Sequence, residues 1–133
     1  MSTYLITATP AHGHIMPLLV IARHLIAAGH RVRFMTSERY GDRVAATGAE
    51  FIALPADADV DLNNPDTAFP ARAGLRGPAA LRLAITNLCL RPGGAQLRAV
   101  DAALAEAPVD AILTEPLFVG AAMLRERPRA TRP

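Results

Sequence analysis

The sequence contains no lysine and no tryptophan, and it has a single cysteine. Without lysine, a Walker A phosphate-binding loop and lysine Schiff-base chemistry are excluded. Cys89 has no partner for a disulfide within the chain, which is typical of a reducing compartment. The longest apolar run, residues 18–28, is interrupted by Arg23 and His24 and is too short to cross a bilayer. Because no basic segment precedes an apolar core at Met1, we expect a cytoplasmic protein without a secretory signal.

Charge and aromatic content are also low. Of the 133 residues, 51% are hydrophobic and 20% are charged, which is enough apolar material for a core and too little charge for a disordered chain. The 14 basic residues are all arginines, they are scattered singly, and aromatic residues make up 5%. We therefore expect no nucleic-acid-binding surface. At about 100–200 residues per domain, the length corresponds to one domain and excludes a complete two-domain enzyme.

Strands and helices alternate in the first part of the chain. Apolar and β-branched residues predict buried strands at residues 4–9, 31–36 and 51–54. Residues 10–16 are predicted as a loop, and Pro17 suits the first turn of a helix that ends at Gly29. Ser37 is a candidate N-cap for a second helix that ends at Gly48. This alternation predicts a Rossmann-like α/β fold, with helices flanking a parallel sheet.

The remainder of the chain is less regular. Residues 56–77 are rich in Asp, Asn and Pro, show no periodicity and are predicted as a long loop of the kind that is often functional. Further helices are predicted over residues 78–90, 95–107 and 117–127, and a fourth strand over residues 109–114. The polar segment 128–133 is predicted as a tail.

Two loops follow strands at the expected carboxyl edge of the sheet, where ligands bind in open parallel sheets. The first contains His12 and His14, beside a helix N-terminus whose dipole disfavours the imidazolium ion, so either histidine is a candidate general base. The second contains Glu115, a candidate partner for such a histidine. The alternatives are histidines that only bond the loop backbone and a solvated Glu115. The His-x-His pair lacks a nearby third ligand, so we expect no metal site.

Other reactive residues are discounted. Cys89 lies on an apolar helical face and is predicted to be a core residue rather than a nucleophile. Asp110 opens the fourth strand and belongs to the opposite edge of the sheet. No G-x-G-x-x-G follows the first strand and no G-x-S-x-G occurs, which counts against a dinucleotide site and a hydrolase elbow.

The first loop carries a family resemblance. Residues 9–17 read TPAHGHIMP and contain a G-H-x-x-P stretch, which is followed by a helix and by AAGHRVRFMTSERYGDRVAATGAEFIALP. This segment resembles the amino-terminal signature of the family 1 glycosyltransferases of the GT-B fold, as found in bacterial macrolide and other natural-product glycosyltransferases. The resemblance covers residues 3–55 and resumes over residues 109–127.

The resemblance implies a set of roles. In this family the amino-terminal Rossmann-like domain binds the acceptor, and a histidine deprotonates the acceptor hydroxyl, which attacks the sugar with inversion. His14 matches that histidine, and His12 is the second candidate. The resemblance assigns His12, Gly13 and Pro10 to substrate binding. The family often has an aspartate after the fourth strand; Glu115 stands there, one methylene longer, which leaves open whether its hydrogen bond to the histidine is kept.

The resemblance also implies that acceptor and donor bind to two different domains. We expect residues 1–133 to be a truncated amino-terminal, acceptor-binding domain, because the carboxy-terminal domain that binds a nucleotide-diphosphate sugar is absent. No cofactor is implied beyond that co-substrate. The family function is hexosyl transfer to a small natural-product or lipid-like acceptor, and the chain alone is predicted to be inactive or to depend on a separately encoded donor domain or on self-association. The alternative is a non-catalytic ligand-binding module. A third hypothesis is a Rossmann-like nucleotide binder, and the missing G-x-G-x-x-G counts against it.

Overall fold

A computed structural model describes residues 1–127, and at its centre is a four-stranded sheet. The strands are β1 (Thr3–Thr7), β2 (Arg31–Thr36), β3 (Glu50–Ala53) and β4 (Ala111–Thr114). All neighbouring strands are parallel, and their order is β3-β2-β1-β4. The Rossmann-like α/β fold expected from the alternation is confirmed. The predicted tail, residues 128–133, lies outside the described residues.

Helices cover both faces of this sheet. Within the described residues the α-helices are α1 (His12–Ala27), α2 (Gly41–Ala45), α3 (Pro65–Ala68), α4 (Gly77–Ala84), α5 (Gly93–Glu106) and α6 (Val119–Arg125). None of the helices in residues 1–127 combines the length and the hydropathy that a membrane span requires.

The core consists of two layers because adjacent strand residues point to opposite faces of a sheet. Ile6 and Phe34 face one side, where they pack with Ile15, Leu18, Leu19 and Ala22 of α1 and with Val44 of α2. Leu5 and Met35 face the other side, where they pack with Ala95, Val100 and Ala103 of α5 and with Phe118 and Ala121. Each of the four strand residues is fully buried.

Helix α1 begins earlier than the sequence predicted. It starts at His12 rather than at Pro17, so residues 12–16 are helical and not part of a loop. The prediction placed Pro17 in the first turn, where its missing N–H has no cost. As the sixth helical residue, Pro17 withdraws only one bond, to the carbonyl of Gly13. The end of α1 is as predicted: Gly29 has φ +86°, and its N–H donates to the carbonyl of Ile26.

Several other boundaries differ from the predictions. Ser37 does cap a helical turn, a 3₁₀ turn over Glu38–Tyr40, but α2 ends before Gly48. The predicted helix over residues 78–90 divides into α4 and a π-helical turn, Ile85–Leu90. Extra residues in π-helical turns often lie at functional sites. The predicted loop over residues 56–77 contains α3 and a 3₁₀ turn, Pro70–Arg72.

A buried arginine joins the sheet to α5. Arg33 is 3% exposed, and its guanidinium donates to the carboxylates of Glu50 at 3.0 Å and Glu106 at 2.6 Å. It also donates to the carbonyl of Ala103 at 2.6 Å, near the carboxyl end of α5. Nη1 of Arg33 also donates to the carbonyl of Ala107 at 3.4 Å, just past the end of α5. Because the last carbonyls of a helix lack intrahelical donors, this bond satisfies the helix end, and the positive charge favours its negative dipole.

Helices α5 and α6 pack closely at a glycine. A Cβ atom built on Gly120 would lie 2.4 Å from Cβ of Gln96 and 2.6 Å from the backbone nitrogen of Leu97. The buried Gln96 side chain accepts a hydrogen bond from the N–H of Gly120 at 2.9 Å and so caps the start of α6. This packing fixes the helix that follows Glu115.

Candidate acceptor site at the carboxyl edge of the sheet

The candidate site lies where β1 and β4 end side by side. Their register pairs Thr7 with Thr114, so the residues that follow each strand emerge at the same edge of the sheet. Glu115 is the first residue after β4, and Thr9 is the second after β1. The sequence predicted that Glu115 and the histidine loop share this edge, and the structure places them there.

Glu115 is buried and accepts four hydrogen bonds. Its Oε1 accepts from the backbone N–H of Thr9 at 3.0 Å and from the Thr9 hydroxyl at 2.5 Å. Its Oε2 accepts from the N–H of Leu117 at 2.8 Å and contacts Nδ1 of His14 at 2.8 Å. Burial alone would raise the pKa of the Glu115 carboxyl, but the bonds from Thr9, Leu117 and His14 outweigh it and lower that pKa. Glu115 is therefore an ionised hydrogen-bond acceptor at neutral pH.

The Glu115 carboxylate orients the His14 ring. Because the carboxylate can only accept, Nδ1 of His14 donates to it, so in the neutral ring the lone pair is on Nε2. No residue in the described part of the chain bonds to Nε2. The His14 side chain is 36% exposed, whereas that of Glu115 is 8% exposed. The arrangement presents an oriented imidazole whose Nε2 is available to a ligand.

The other residues of the first loop lie around this pair. His12 is exposed, its N–H donates to the side-chain oxygen of Asn63 at 2.8 Å, and its ring lies 3.5 Å from Arg43. Gly13 is exposed, with open space where a Cβ would stand. The carbonyl of Pro10 accepts from the N–H of Leu62 at 3.1 Å. The structure brings His14 and Glu115 together and leaves the ring of His12 outside their contact.

A short acidic segment anchors the long loop to the start of α1. The Asp61 carboxylate pairs with Arg39 and accepts from Asn64 and from the N–H of Asn63. Burial alone would raise the pKa of the Asp61 carboxyl, but Arg39, Asn64 and Asn63 together hold it at about 2. Asn63, held in this way, caps α1 through its bond to His12.

A largely apolar cavity of about 390 Å³ opens beside His14. This volume falls in the range of small-molecule sites. The wall comes from the long loop, α4 and the π-helical turn: besides His14 it contains Ala11, Leu62, Pro65, Arg72, Leu81, Ala84, Ile85, Leu88, Cys89 and Leu117. The sequence predicted that residues 56–77 form a long loop of the kind that is often functional, but the lack of periodicity there concealed which of its residues line a cavity.

Cys89 is half-buried on the wall of this cavity. Burial raises the pKa of its thiol, and the negative charge of Glu115 raises it further. The thiol is therefore protonated at neutral pH, when it is a poor nucleophile. This agrees with the prediction that Cys89 is not a nucleophile, although it lies at a cavity wall rather than in the closed core.

Sequence reasoning missed three residues of the site. Thr9 supplies two of the bonds to Glu115, Asn63 caps α1, and Arg72 lies in the cavity wall. For Thr9 a signal existed, since it precedes the histidine loop. Asn63 and Arg72 lie in the aperiodic segment, residues 56–77, where no sequence signal distinguishes them from their neighbours. Within residues 1–127, no three His, Cys, Asp or Glu side chains are grouped as a metal site would require.

Comparison with known proteins identifies the fold and the family. The model of the glycosyltransferase family 28 N-terminal domain matches residues 4–111, which is most of the chain. The chain belongs to this glycosyltransferase family. The match includes His14 and ends four residues before Glu115.

Two curated relatives cover nearly the whole chain. The 4'-demethylrebeccamycin synthase of Lentzea aerocolonigenes is 29% identical over 123 residues, and UDP-glucosyltransferase 1 of Beauveria bassiana is 34% identical over 139 residues. Each match covers 92% of this chain but 29% of the relative. These relatives confirm the resemblance to family 1 glycosyltransferases, and the chain spans less than a third of their length.

Solved glycosyltransferase structures share the fold. The calicheamicin glycosyltransferase superposes with a TM-score of 0.71 and 25% identity, covering 93% of this chain and 29% of that one. The glycosyltransferase of kitacinnamycin superposes with a TM-score of 0.68 and 24% identity, covering 92% and 27%. The described residues of this family member thus form part of a GT-B fold.

Proposed function

We propose that this chain is the acceptor-binding part of a cytoplasmic glycosyltransferase. The enzyme would transfer a hexose from a nucleotide-diphosphate sugar to a hydroxyl of a small, largely apolar acceptor. The observation that carries the proposal is the His14–Glu115 pair beside an apolar cavity. The relative named for rebeccamycin supports a natural-product acceptor.

The geometry of the pair supports a general-base role for His14. The acceptor hydroxyl donates its proton to Nε2 while its oxygen attacks the anomeric carbon, and the nucleoside diphosphate leaves from the opposite face, which inverts the configuration. Proton transfer makes His14 an imidazolium ion, which the buried carboxylate of Glu115 stabilises. A bond of 2.8 Å to Nδ1 also holds the ring in one orientation.

The donor is assigned to a part of the enzyme that this chain does not supply. In the family that the chain resembles, a second Rossmann-like domain is expected to bind the nucleotide sugar, and the chain spans less than a third of the relatives it matches. We therefore expect no turnover by the 133-residue chain alone. Activity then requires a donor domain, whether joined to the chain or expressed separately.

A substitution at His14 tests the proposal. In a chimera of this chain with the donor domain of the calicheamicin glycosyltransferase, transfer to naphthol is measured for wild type, His14→Ala and His24→Ala. His24 is a matched control, since its ring bonds only to the carbonyl of Val20 on the exposed side of α1. Loss of a general base lowers the rate by about 100-fold or more.

Two results would contradict the proposal. Near-normal transfer by His14→Ala would reject the general base, provided that His24→Ala is also near normal. Sugar transfer by the isolated 133-residue chain would reject the need for a donor domain.

A non-catalytic ligand-binding module is the second candidate, favoured by a cavity that the described residues form by themselves. Binding alone does not require a buried carboxylate that orients Nδ1 of His14, so the Glu115 contact favours transfer. Ligand binding that His14→Ala leaves unchanged, together with no donor-dependent product in the chimera, would support the module instead.

A further inference from the structure

Arg72 is an unusual member of the cavity wall. It ends the 3₁₀ turn Pro70–Arg72, and its Nη1 donates to Oδ1 of Asp66 at 2.5 Å. Its Nε is buried and has no hydrogen-bond partner. In the described part of the chain Nη2 has no partner either, and it remains accessible. One edge of the guanidinium, Nε with Nη2, is thus unused.

An unused charged edge on the wall of a cavity is suited to bind a ligand of opposite charge. Buried polar groups in native proteins are nearly always hydrogen-bonded, and each exception calls for a physical reason. Asp66 is 66% exposed, so water screens its charge and it does not neutralise Arg72 fully. The Nε–Nη2 edge of arginine is the geometry that binds a carboxylate through two parallel hydrogen bonds.

The surrounding wall narrows the chemistry of the ligand. Among the residues that line the cavity, Arg72 is the only one with a permanent charge, and most of the others are aliphatic. A ligand that fills this space is therefore apolar over most of its surface. It carries a hydroxyl toward His14 and one group that can pair with a guanidinium.

We propose that Arg72 selects acceptors that carry a carboxylate on an apolar skeleton, at a site separate from the hydroxyl that receives the sugar. The inference rests on the proposed function, because it takes the cavity beside His14 as the acceptor site. The carboxylate accepts a hydrogen bond from Nη2, and a small movement of the Arg72 side chain lets the buried Nε donate the second bond. Arg72 is thus a specificity residue, while the reaction itself depends on His14 and Glu115.

Matched probes test the proposal without requiring catalysis. Hydroxynaphthoate has a hydroxyl and a carboxylate on an apolar ring pair, and naphthol lacks only the carboxylate. Titration calorimetry on the full chain at pH 8 measures the affinity for each. We expect wild type to prefer hydroxynaphthoate by about tenfold or more, as for a hydrogen bond to a charged group.

Variants then assign the preference to Arg72. Arg72→Gln brings the ratio of the two affinities to about one and leaves naphthol binding unchanged. Arg72→Lys keeps part of the preference, since it retains charge without the planar fork. Asp66→Asn increases the affinity for hydroxynaphthoate because it removes a negative charge that repels the ligand's carboxylate and partly neutralises Arg72. Arg82→Gln, on the exposed side of α4, is the matched control and leaves the ratio as in wild type.

The outcomes separate this proposal from the proposed function. Equal affinity of wild type for the two probes, or a preference that survives in Arg72→Gln, overturns the role of Arg72 and leaves the acceptor cavity standing. If neither probe binds, the cavity beside His14 is not an acceptor site, and both proposals fall. Asp66→Asn serves as the test if Arg72→Gln does not fold: an unchanged or weaker affinity for hydroxynaphthoate overturns the proposal.

Discussion

Replacing Glu115 by glutamine removes the charge from the site while keeping its shape. The carboxylate accepts four hydrogen bonds, including those from the backbone N–H groups of Thr9 and Leu117. An amide has one oxygen and one NH₂ group, so in either orientation its NH₂ faces one of these backbone donors. That donor then loses its partner.

The expected loss of stability follows from this count. A buried donor without a partner costs about 1–3 kcal/mol. The lowered pKa of Glu115 shows that the fold stabilises the carboxylate relative to the neutral acid, so the charge is a net gain at pH 7. We expect Glu115→Gln to lower the free energy of unfolding by about 2 kcal/mol, which corresponds to roughly 8 °C in Tm.

This loss depends on pH in a defined direction. Because the pKa of Glu115 is lower in the folded state than its ordinary value of 4.5, its contribution is fully present above that value. The contribution disappears as the pH falls through the folded-state pKa. The difference in stability between wild type and Glu115→Gln is therefore expected to be constant near pH 7 and to shrink below pH 4.5.

Urea denaturation followed by circular dichroism measures the effect, since the chain has no tryptophan for fluorescence. Glu38→Gln makes the same chemical change on an exposed residue and is expected to stay within about 0.5 kcal/mol of wild type. If Glu115→Gln is as stable as Glu38→Gln at pH 7, or if its deficit does not shrink in acid, the four-bond network is refuted.

Two further substitutions test the packing that supports the site. Gly120→Ala forces a Cβ against Gln96 and is expected to lower the free energy of unfolding by about 3 kcal/mol. Gly94→Ala is the control: its Cβ meets only the flexible end of an arginine, and the change is expected to raise the free energy of unfolding slightly. If urea denaturation showed the same change in both variants, the close packing at Gly120 would be refuted. Arg33→Met removes the guanidinium bonds to the carbonyls of Ala103 and Ala107 but strands no buried charge, so we expect a loss of about 1–2 kcal/mol in the same assay, and no loss would mean that Arg33 does not stabilise α5.

The sequence predicted the elements that follow strong local patterns. Residues 31–36 form β2 as predicted, because apolar, β-branched runs bounded by glycine and serine have few alternatives. The end of α1 at Gly29 was also predictable, since a positive φ favours glycine there. The predicted start of α1 was wrong because Pro17 was treated as a boundary. The side chain that bonds to the first N–H of the helix is Asn63, which is 51 residues away from His12 in the sequence.

The cavity could not be predicted from local sequence patterns either. Leu81 and Ile85 are four residues apart in the predicted helix over residues 78–90 and so share one apolar face, but they are 62% and 44% exposed. A periodic apolar face normally predicts burial in the core. Here it lines an open cavity together with Arg72, and only the three-dimensional arrangement distinguishes a ligand-facing surface from a core-facing one.

Strand order decides whether His14 and Glu115 can form a pair at all. The alternation of strands and helices predicts that both residues lie at the carboxyl edge, but it does not specify which strands are neighbours. If β4 lay beyond β3 instead, three strand spacings, about 14 Å, would separate the ends of β1 and β4. In the observed order β4 is next to β1, and its register places Thr114 beside Thr7. Glu115 thus reaches both Thr9 and His14 despite its extra methylene, because its position on the neighbouring strand matters more than the length of its side chain.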